Sequence, residues 1–168
     1  KNQVHAYLDT FKKYDWLWKT KKADAYQKFI ENFGEEGPGI DGYEAKLKEF
    51  VACEDEIDTI PVLYTIGALS LDTQNLKQQL KLECNEWKVT YSERLHKKAR
   101  EKMDALSEYM KTTTTNLTRE VGPGNLDALR AVMDTLKEIR ARESSIDVED
   151  IGPVIQMYDM LQYYLSEK

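Results

Sequence analysis

The residue types able to do chemistry are few in this chain and stand apart. His5 and His96 are its only histidines, and Cys53 and Cys84 its only cysteines. Glu93-Arg94-Leu95-His96 has the Glu-x-x-His spacing that sets a carboxylate and an imidazole on one helix face, as in di-iron bundles. Such a centre needs a second copy and further glutamates from facing helices, and Glu83 and Glu86 do not complete it. Neither histidine has a second histidine at helical ligand spacing. His96 lies in a basic run, where a solvated imidazole is the ordinary reading. Two cysteines make neither a metal framework nor a disulfide scaffold. Both fall at apolar positions of helical patterns, so buried thiols in a reducing compartment are expected. Glu35-Glu36-Gly37-Pro38-Gly39 and Gly122-Pro123-Gly124 lack the Lys-Ser/Thr pair of a phosphate loop and read as turns. No serine sits in an elbow motif, and Cys84 has no candidate base at a telling position. The reading is therefore no catalytic, cofactor-binding or metal-binding residue in this segment.

Binding is the remaining class, and charge is its first guide. The net charge of −6 disfavours general nucleic-acid binding. Residues 31–60 hold ten acids against Lys46 and Lys48, a net of −8. Arg94, Lys97, Lys98, Arg100 and Lys102 face only Glu101 between 94 and 102. Solvated helix faces are the plain reading of both runs. The sharper reading is a pair of charged patches on a multi-subunit surface, where electrostatics sets register and partner choice. The Trp16/Trp18 and Tyr163/Tyr164 pairs could anchor a partner, with core packing or bundle-end contacts as the competing role. The longest uncharged stretch, Ile60 to Leu71, is too short to span a bilayer, and no signal peptide is visible. Asn116-Leu117-Thr118 matches a glycosylation sequon, with nothing else pointing to secretion.

The elements that would position these residues are helices. From Asp72-Thr73 to about Leu117, apolar or small residues fall at Leu76, Leu80, Cys84, Trp87, Tyr91, Leu95, Ala99, Met103, Leu106 and Met110, with no Gly or Pro between them. At ~1.5 Å per residue this predicts a rod of roughly 60 Å, hence an elongated object. The mean apolar step is about 3.8 residues, closer to an eleven-residue repeat than to a left-handed coiled coil. Thr112 to Thr115 are poor helix formers, so fraying of the last turn is expected. Upstream, Val4, Leu8, Phe11, Tyr14 and Trp18 mark a first helix, with Tyr7 and Leu17 widening the stripe and Trp16 beside it. Tyr26, Phe29, Ile30 and Phe33 mark a second, stopped by Gly34. Asp41 is a candidate N-cap for a third helix with Leu47, Phe50, Val51 and Ile57 inward, ended by Pro61. The stretch 62–71 is a buried connector or a small strand. Asn125 caps a helix whose core stripe is Leu126, Leu129, Val132, Met133, Leu136 and Ile139. Residues 144–150 are a further break, and Pro153 opens the last helix.

The expected fold is all-α. It is an elongated antiparallel bundle of about six helices, with 1–60 a short-helix bundle, 61–72 an apolar connector and 73–168 a long-helix bundle. The chain starts at Lys1 and ends inside an amphipathic pattern (Tyr158, Leu161, Tyr164, Leu165), so it is expected to be part of something longer.

Several stretches, taken in order, resemble one family. Tyr14-Asp15-Trp16-Leu17-Trp18, Phe29-Ile30 and Glu54-Asp55-Glu56-Ile57 are similar to the stem of axonemal dynein heavy chains. Ile66-Gly67-Ala68-Leu69-Ser70-Leu71-Asp72-Thr73, Leu76-Lys77 and Glu86-Trp87-Lys88 resemble that family's approach to its linker. Leu136-Lys137-Glu138-Ile139-Arg140, Glu143-Ser144-Ser145-Ile146-Asp147 and Pro153 to Tyr158 carry the strongest likeness, and the series as a whole resembles the outer-arm, gamma-like class. The glycine-bearing breaks at 34–42 and 122–124 depart from the family pattern. The resemblance implies a segment of the N-terminal tail, at or just before the start of the linker, of a minus-end-directed microtubule motor. ATP and Mg would belong to the distant motor domain. Implied partners are other dynein heavy chains, intermediate and light chains, and the microtubule through the larger complex, with no nucleic acid and no membrane. The implied location is the cytoplasm and cytoskeleton, in the axoneme of a cilium or flagellum. A stand-alone, spectrin-like helical spacer or adaptor with no motor is the alternative.

Overall fold

A computed structural model describes residues 2–165. The elements in order are α1 (Asn2–Lys12), α2 (Trp16–Lys19), α3 (Lys22–Glu31), a 3-10 turn (Gly34–Glu36), α4 (Ile40–Thr59), β1 (Leu63–Ile66), β2 (Leu69–Asp72), α5 (Gln74–Leu117), α6 (Leu126–Ser145), a π-helical turn (Ile146–Ile151) and α7 (Gly152–Leu165). The fold is mostly helical, as expected, with a 44-residue α5 and one small hairpin. It divides into two compact units. One comprises the residues up to Arg94 with Tyr164 and Leu165; the other is Leu95–Tyr163, and α5 contributes to both.

The first unit is built around aromatic rings. The first predicted helix is in fact two. Tyr14, Asp15 and Leu17 donate backbone hydrogen bonds three residues back, to Phe11, Lys12 and Tyr14, and this tight turn separates α1 from α2. The turn narrows the inward set to Tyr7, Phe11, Tyr14 and Leu17, leaving Leu8 and Trp18 exposed. α3 ends before Gly34, whose φ of +69° is the left-handed conformation that glycine adopts without a Cβ clash. α4 starts one residue before Asp41, and Gly39, not Asp41, occupies the N-cap position without a side-chain cap. Tyr43, Leu47, Phe50 and Ile57 of α4 are buried, and Val51 is half-buried. Ile60 turns extended before Pro61, as the residue before a proline prefers.

The stretch 62–71 is an antiparallel hairpin in register Leu63↔Asp72 to Ile66↔Leu69. Gly67, at φ +60°, supplies the left-handed residue its two-residue turn needs. It is not a buried connector, since Leu63 and Leu69 are exposed. Its base is held to α1 by Tyr7, which stacks on Tyr64 at 4.4 Å with planes 7° apart. The Tyr7 hydroxyl donates to the Pro61 carbonyl at 2.6 Å and lies 2.8 Å from Thr73 Oγ1. Asp72 Oδ1 then accepts from the Gln74 N–H at 2.9 Å and opens α5.

α5 buries Leu80, Cys84, Trp87, Tyr91, Leu95 and Ala99 as its spacing predicts, whereas Leu76, Met103 and Met110 of the same stripe are exposed. The helix continues through its four threonines to Leu117, with the Thr114 and Thr115 hydroxyls donating to the carbonyls of Met110 and Lys111 at 2.8 and 2.9 Å.

In the second unit, Asn125 caps α6 as expected, its Oδ1 accepting from Ala128 N–H at 3.1 Å. The inward face of α6 is rotated from the expected one and keeps only Val132 and Ile139 of it. Ala128, Val132, Thr135, Ile139 and Arg142 are half-buried, whereas Leu126, Leu129, Met133 and Leu136 are exposed. Residues 146–151 do not break the helix; they widen it by a π turn. A Cβ on Gly152 would lie 2.9 Å from the Asp147 carbonyl oxygen, so the turn closes because this residue has none. Arg142 fastens the turn, donating to Asp150 at 2.9 Å with its guanidinium 4.2 Å from the centre of the Tyr109 ring. Val154, Met157 and Leu161 form the buried stripe of α7.

Candidate functional site

No catalytic constellation forms among the described residues, and no group of three His, Cys, Asp or Glu is placed to hold a metal. His96 lies edge-on to the Tyr158 ring at 5.8 Å. What the structure offers is surface, in three pieces.

The first is an open cleft of about 570 Å³ in the first unit. Trp16, Phe50, Trp87 and Tyr91 line its aromatic wall, and Lys21 and Lys28 stand on its rim. Trp16 is positioned by the tight turn before α2 and meets Trp87 at 5.4 Å and Phe50 at 6.3 Å between ring centres. Trp87 and Tyr91, one helical turn apart on α5, are each only 2% exposed. Burial pushes the Tyr91 phenol up to about 12 and raises that of Tyr43, whose hydroxyl lies 2.6 Å from the Tyr26 hydroxyl. Of the two tryptophans marked as anchors, Trp16 therefore belongs to the cleft wall, while Trp18 is exposed.

The second is the meeting of the acidic helix with lysines. Glu54 of α4 pairs with Lys88 of α5 at 2.6 Å, both side chains about one-tenth exposed. One turn on, Asp58 pairs with Lys81 at 2.7 Å and Lys77 at 3.6 Å, and Lys77 also donates to the Asp58 and Ile60 carbonyls. The hydrogen bond from Lys81 holds the Asp58 carboxyl below its ordinary range. Glu56 is likewise lowered by Lys13, which reaches it from beyond α1 at 2.8 Å. Glu44 and Glu49 pair within α4, with Lys48 and Lys46. Much of the acidity of 31–60 is thus used inside the unit. This was hidden in the sequence because the partnering lysines lie 23 to 43 residues away for Lys81 and Lys13.

The basic run 94–102 is likewise partly used. Arg94 stacks over the Tyr26 ring at 5.2 Å, Lys97 pairs with Glu101 at 3.7 Å, and Lys102 donates to the Glu149 carbonyl at 3.4 Å. Burial lowers the Lys98 ammonium from its ordinary value, with Lys102 adding repulsion.

The third piece is apolar. Leu126, Leu129, Met133 and Leu136 form a stripe along α6 that is at least 41% exposed at every position. On the second half of α5, Met103 and Met110 are also exposed. The spacing that marks such a stripe was legible; that it faces outward was not.

No protein-family model matches the chain. It is homologous over nearly its whole length to axonemal dynein heavy chains. It is 39% identical over 164 residues to the dynein gamma chain of the flagellar outer arm of Chlamydomonas reinhardtii, covering 98% of this chain and 4% of that protein. It is 29% identical over 98% of its length to dynein axonemal heavy chain 5 of Mus musculus, and 26% identical over 98% to dynein axonemal heavy chain 8 of Homo sapiens. The chain spans only 3 to 4% of the length of these relatives.

Proposed function

We propose that this chain is a tail segment of an axonemal dynein heavy chain, at or near the start of the linker, and that its work is mechanical. It holds shape, carries force and takes part in assembly with other heavy chains and with intermediate and light chains. The motor activity and its nucleotide chemistry belong, on this reading, to parts of the heavy chain far from these residues. The location that follows is the axoneme of a cilium or flagellum. No described helix is long and apolar enough to cross a membrane.

The observation that carries the reading is the colinear 39% identity across 98% of the chain to an outer-arm gamma chain. The structure supports it in two ways. The helices of the first unit are locked by buried rings and an ion-pair ladder, which suits an element that must resist pulling. The second unit leaves an apolar stripe on α6 uncovered, as expected of a segment whose neighbours belong to a larger assembly.

The test is identification by mass spectrometry of what co-purifies with the native chain from ciliary extract. Recovery of these residues within a very large ATPase, together with intermediate and light chains, supports the motor-tail reading. Recovery of a small polypeptide with no ATPase overturns it and leaves a free-standing spacer or adaptor.

A further inference from the structure

We propose that Cys53 and Cys84 form a modification site, a reversible disulfide that clips α4 to α5. The two sulfurs lie 3.7 Å apart across the interface of these helices, and both thiols are free. A disulfide needs them to approach by about 1.7 Å, to a bond of ~2.05 Å, and side-chain rotation supplies most of such a movement. The pair is held in place on both sides. Phe50 and Ile57 bracket Cys53 on α4, Leu80 and Trp87 bracket Cys84 on α5, and all four are buried. The Glu54–Lys88 pair at 2.6 Å, one residue from Cys53, spans the same two helices.

The two thiols are not equivalent, and the difference gives each a role. Cys84 is fully buried and its S–H donates to the Cys53 sulfur. Cys53 is half-buried, so a small reagent can reach it. The donated hydrogen bond favours the Cys53 thiolate against its burial and the nearby Glu56 charge, while the neighbouring sulfur and burial keep Cys84 protonated. Cys53 is the attacking sulfur and Cys84 the resolving one.

With a low-molecular-weight disulfide as oxidant, the Cys53 thiolate attacks one sulfur of the reagent. The reagent's S–S bond breaks, one thiolate leaves and Cys53 carries a mixed disulfide. Cys84 gives its proton to water or to the departed thiolate. Its sulfur then attacks the Cys53 sulfur and expels the second small thiolate. Two protein thiols lose two electrons and two protons in all, and the reagent becomes two thiols. The product closes a loop containing the hairpin and ties the middle of α4 to α5, so that a pull on either helix is borne by a covalent bond. A dithiol reductant reverses the step.

The experiment uses the 168-residue chain, equilibrated with mixtures of oxidised and reduced glutathione under native conditions and quenched with an alkylating reagent. Peptides containing Cys53 and Cys84 are then sought by mass spectrometry. The expected result is a linked Cys53–Cys84 pair within one chain, lost on adding dithiothreitol. Cys84→Ser should stop at a Cys53–glutathione mixed disulfide, while Cys53→Ser should leave Cys84 unmodified. Circular dichroism checks that both variants keep their helices. Should either unfold, the wild-type linkage remains the deciding measurement. Two alkylated thiols at every glutathione ratio, linkage only between chains, or linkage only in denaturant would each overturn the proposal.

Discussion

The indole N–H of Trp87, at the middle of the first unit, donates a 2.8 Å hydrogen bond to the backbone carbonyl of Leu17, 70 residues earlier. The bond joins α5 to α2, a four-residue helix too short to be stable alone. Leu17 is itself fully buried, so its carbonyl has no water to turn to. Trp87 thus fills the core and satisfies a buried acceptor at once.

Two substitutions separate these roles. Trp87→Ala removes both and should cost about 3–5 kcal/mol. Trp87→Phe keeps an aromatic ring and strands the Leu17 carbonyl, so about 1–3 kcal/mol is expected from the lost hydrogen bond. Urea denaturation followed by circular dichroism measures both. A loss below about 1 kcal/mol for Trp87→Ala would mean that the indole lies on the surface in solution.

The Glu54–Lys88 pair invites a different kind of test. Both groups are mostly removed from water, so their attraction offsets a desolvation cost, and the net contribution of such a pair is small. Removing one partner is another matter. Lys88→Met should cost about 2–3 kcal/mol, below the full range for buried pairs because Lys81 stands 4.0 Å from Glu54 and part of the charge remains wetted. Glu54→Leu with Lys88→Met should return to within about 1 kcal/mol of wild type. If the double variant is as unstable as the single one, the pair contributes more than its desolvation costs.

Stability should also fall in alkali, and the tyrosines say where. Burial lifts the Tyr91 phenol to about 12 and raises Tyr43 as well, whereas unfolded tyrosines ionise near pH 10. Between these values the folded chain holds protons that the unfolded chain has released, so stability decreases as pH rises. The loss begins near pH 10 and continues to about pH 12, where folded Tyr91 itself ionises. Each tyrosine contributes a slope of at most about 1.4 kcal/mol per pH unit. Denaturant midpoints at steps across this window should show the decline, and Tyr91→Phe should make it shallower. An unchanged slope in Tyr91→Phe would remove Tyr91 as a cause.

How far the fold could be read beforehand depended on whether an element's partners were local. α5 was legible because its stripe runs unbroken for ten apolar positions, and Asn125 because capping is a matter of three residues. The hairpin was only half legible. Gly67 fits a tight turn, but Tyr7, which holds its base, lies far away in the chain. The tight turn at 13–15 was missed because Tyr14 and Trp18 both continue a helical spacing. The inward face of Tyr7, Phe11, Tyr14 and Leu17 does so equally well, and packing chose between them. The cleft was invisible for the same reason: Trp16 and Phe50 meet Trp87 only after three helices have packed.

The face of α6 is where spacing and structure part most clearly, and there they predict different numbers. Leu126 and Met133 belong to the expected core stripe, yet they are 69% and 52% exposed. A core position stripped of its apolar side chain costs about 2–5 kcal/mol, whereas a surface one stays within about 0.5 kcal/mol. Leu126→Gln and Met133→Gln should therefore each leave the denaturation midpoint of the chain nearly unchanged. Val132→Ala, on the half-buried face of the same helix, should lower it. Glutamine is a good helix former and alanine a better one than valine, so a lowered midpoint in Val132→Ala reports lost packing and not lost propensity. If Met133→Gln is costly and Val132→Ala is not, α6 is rotated in solution to bury Met133 in place of Val132.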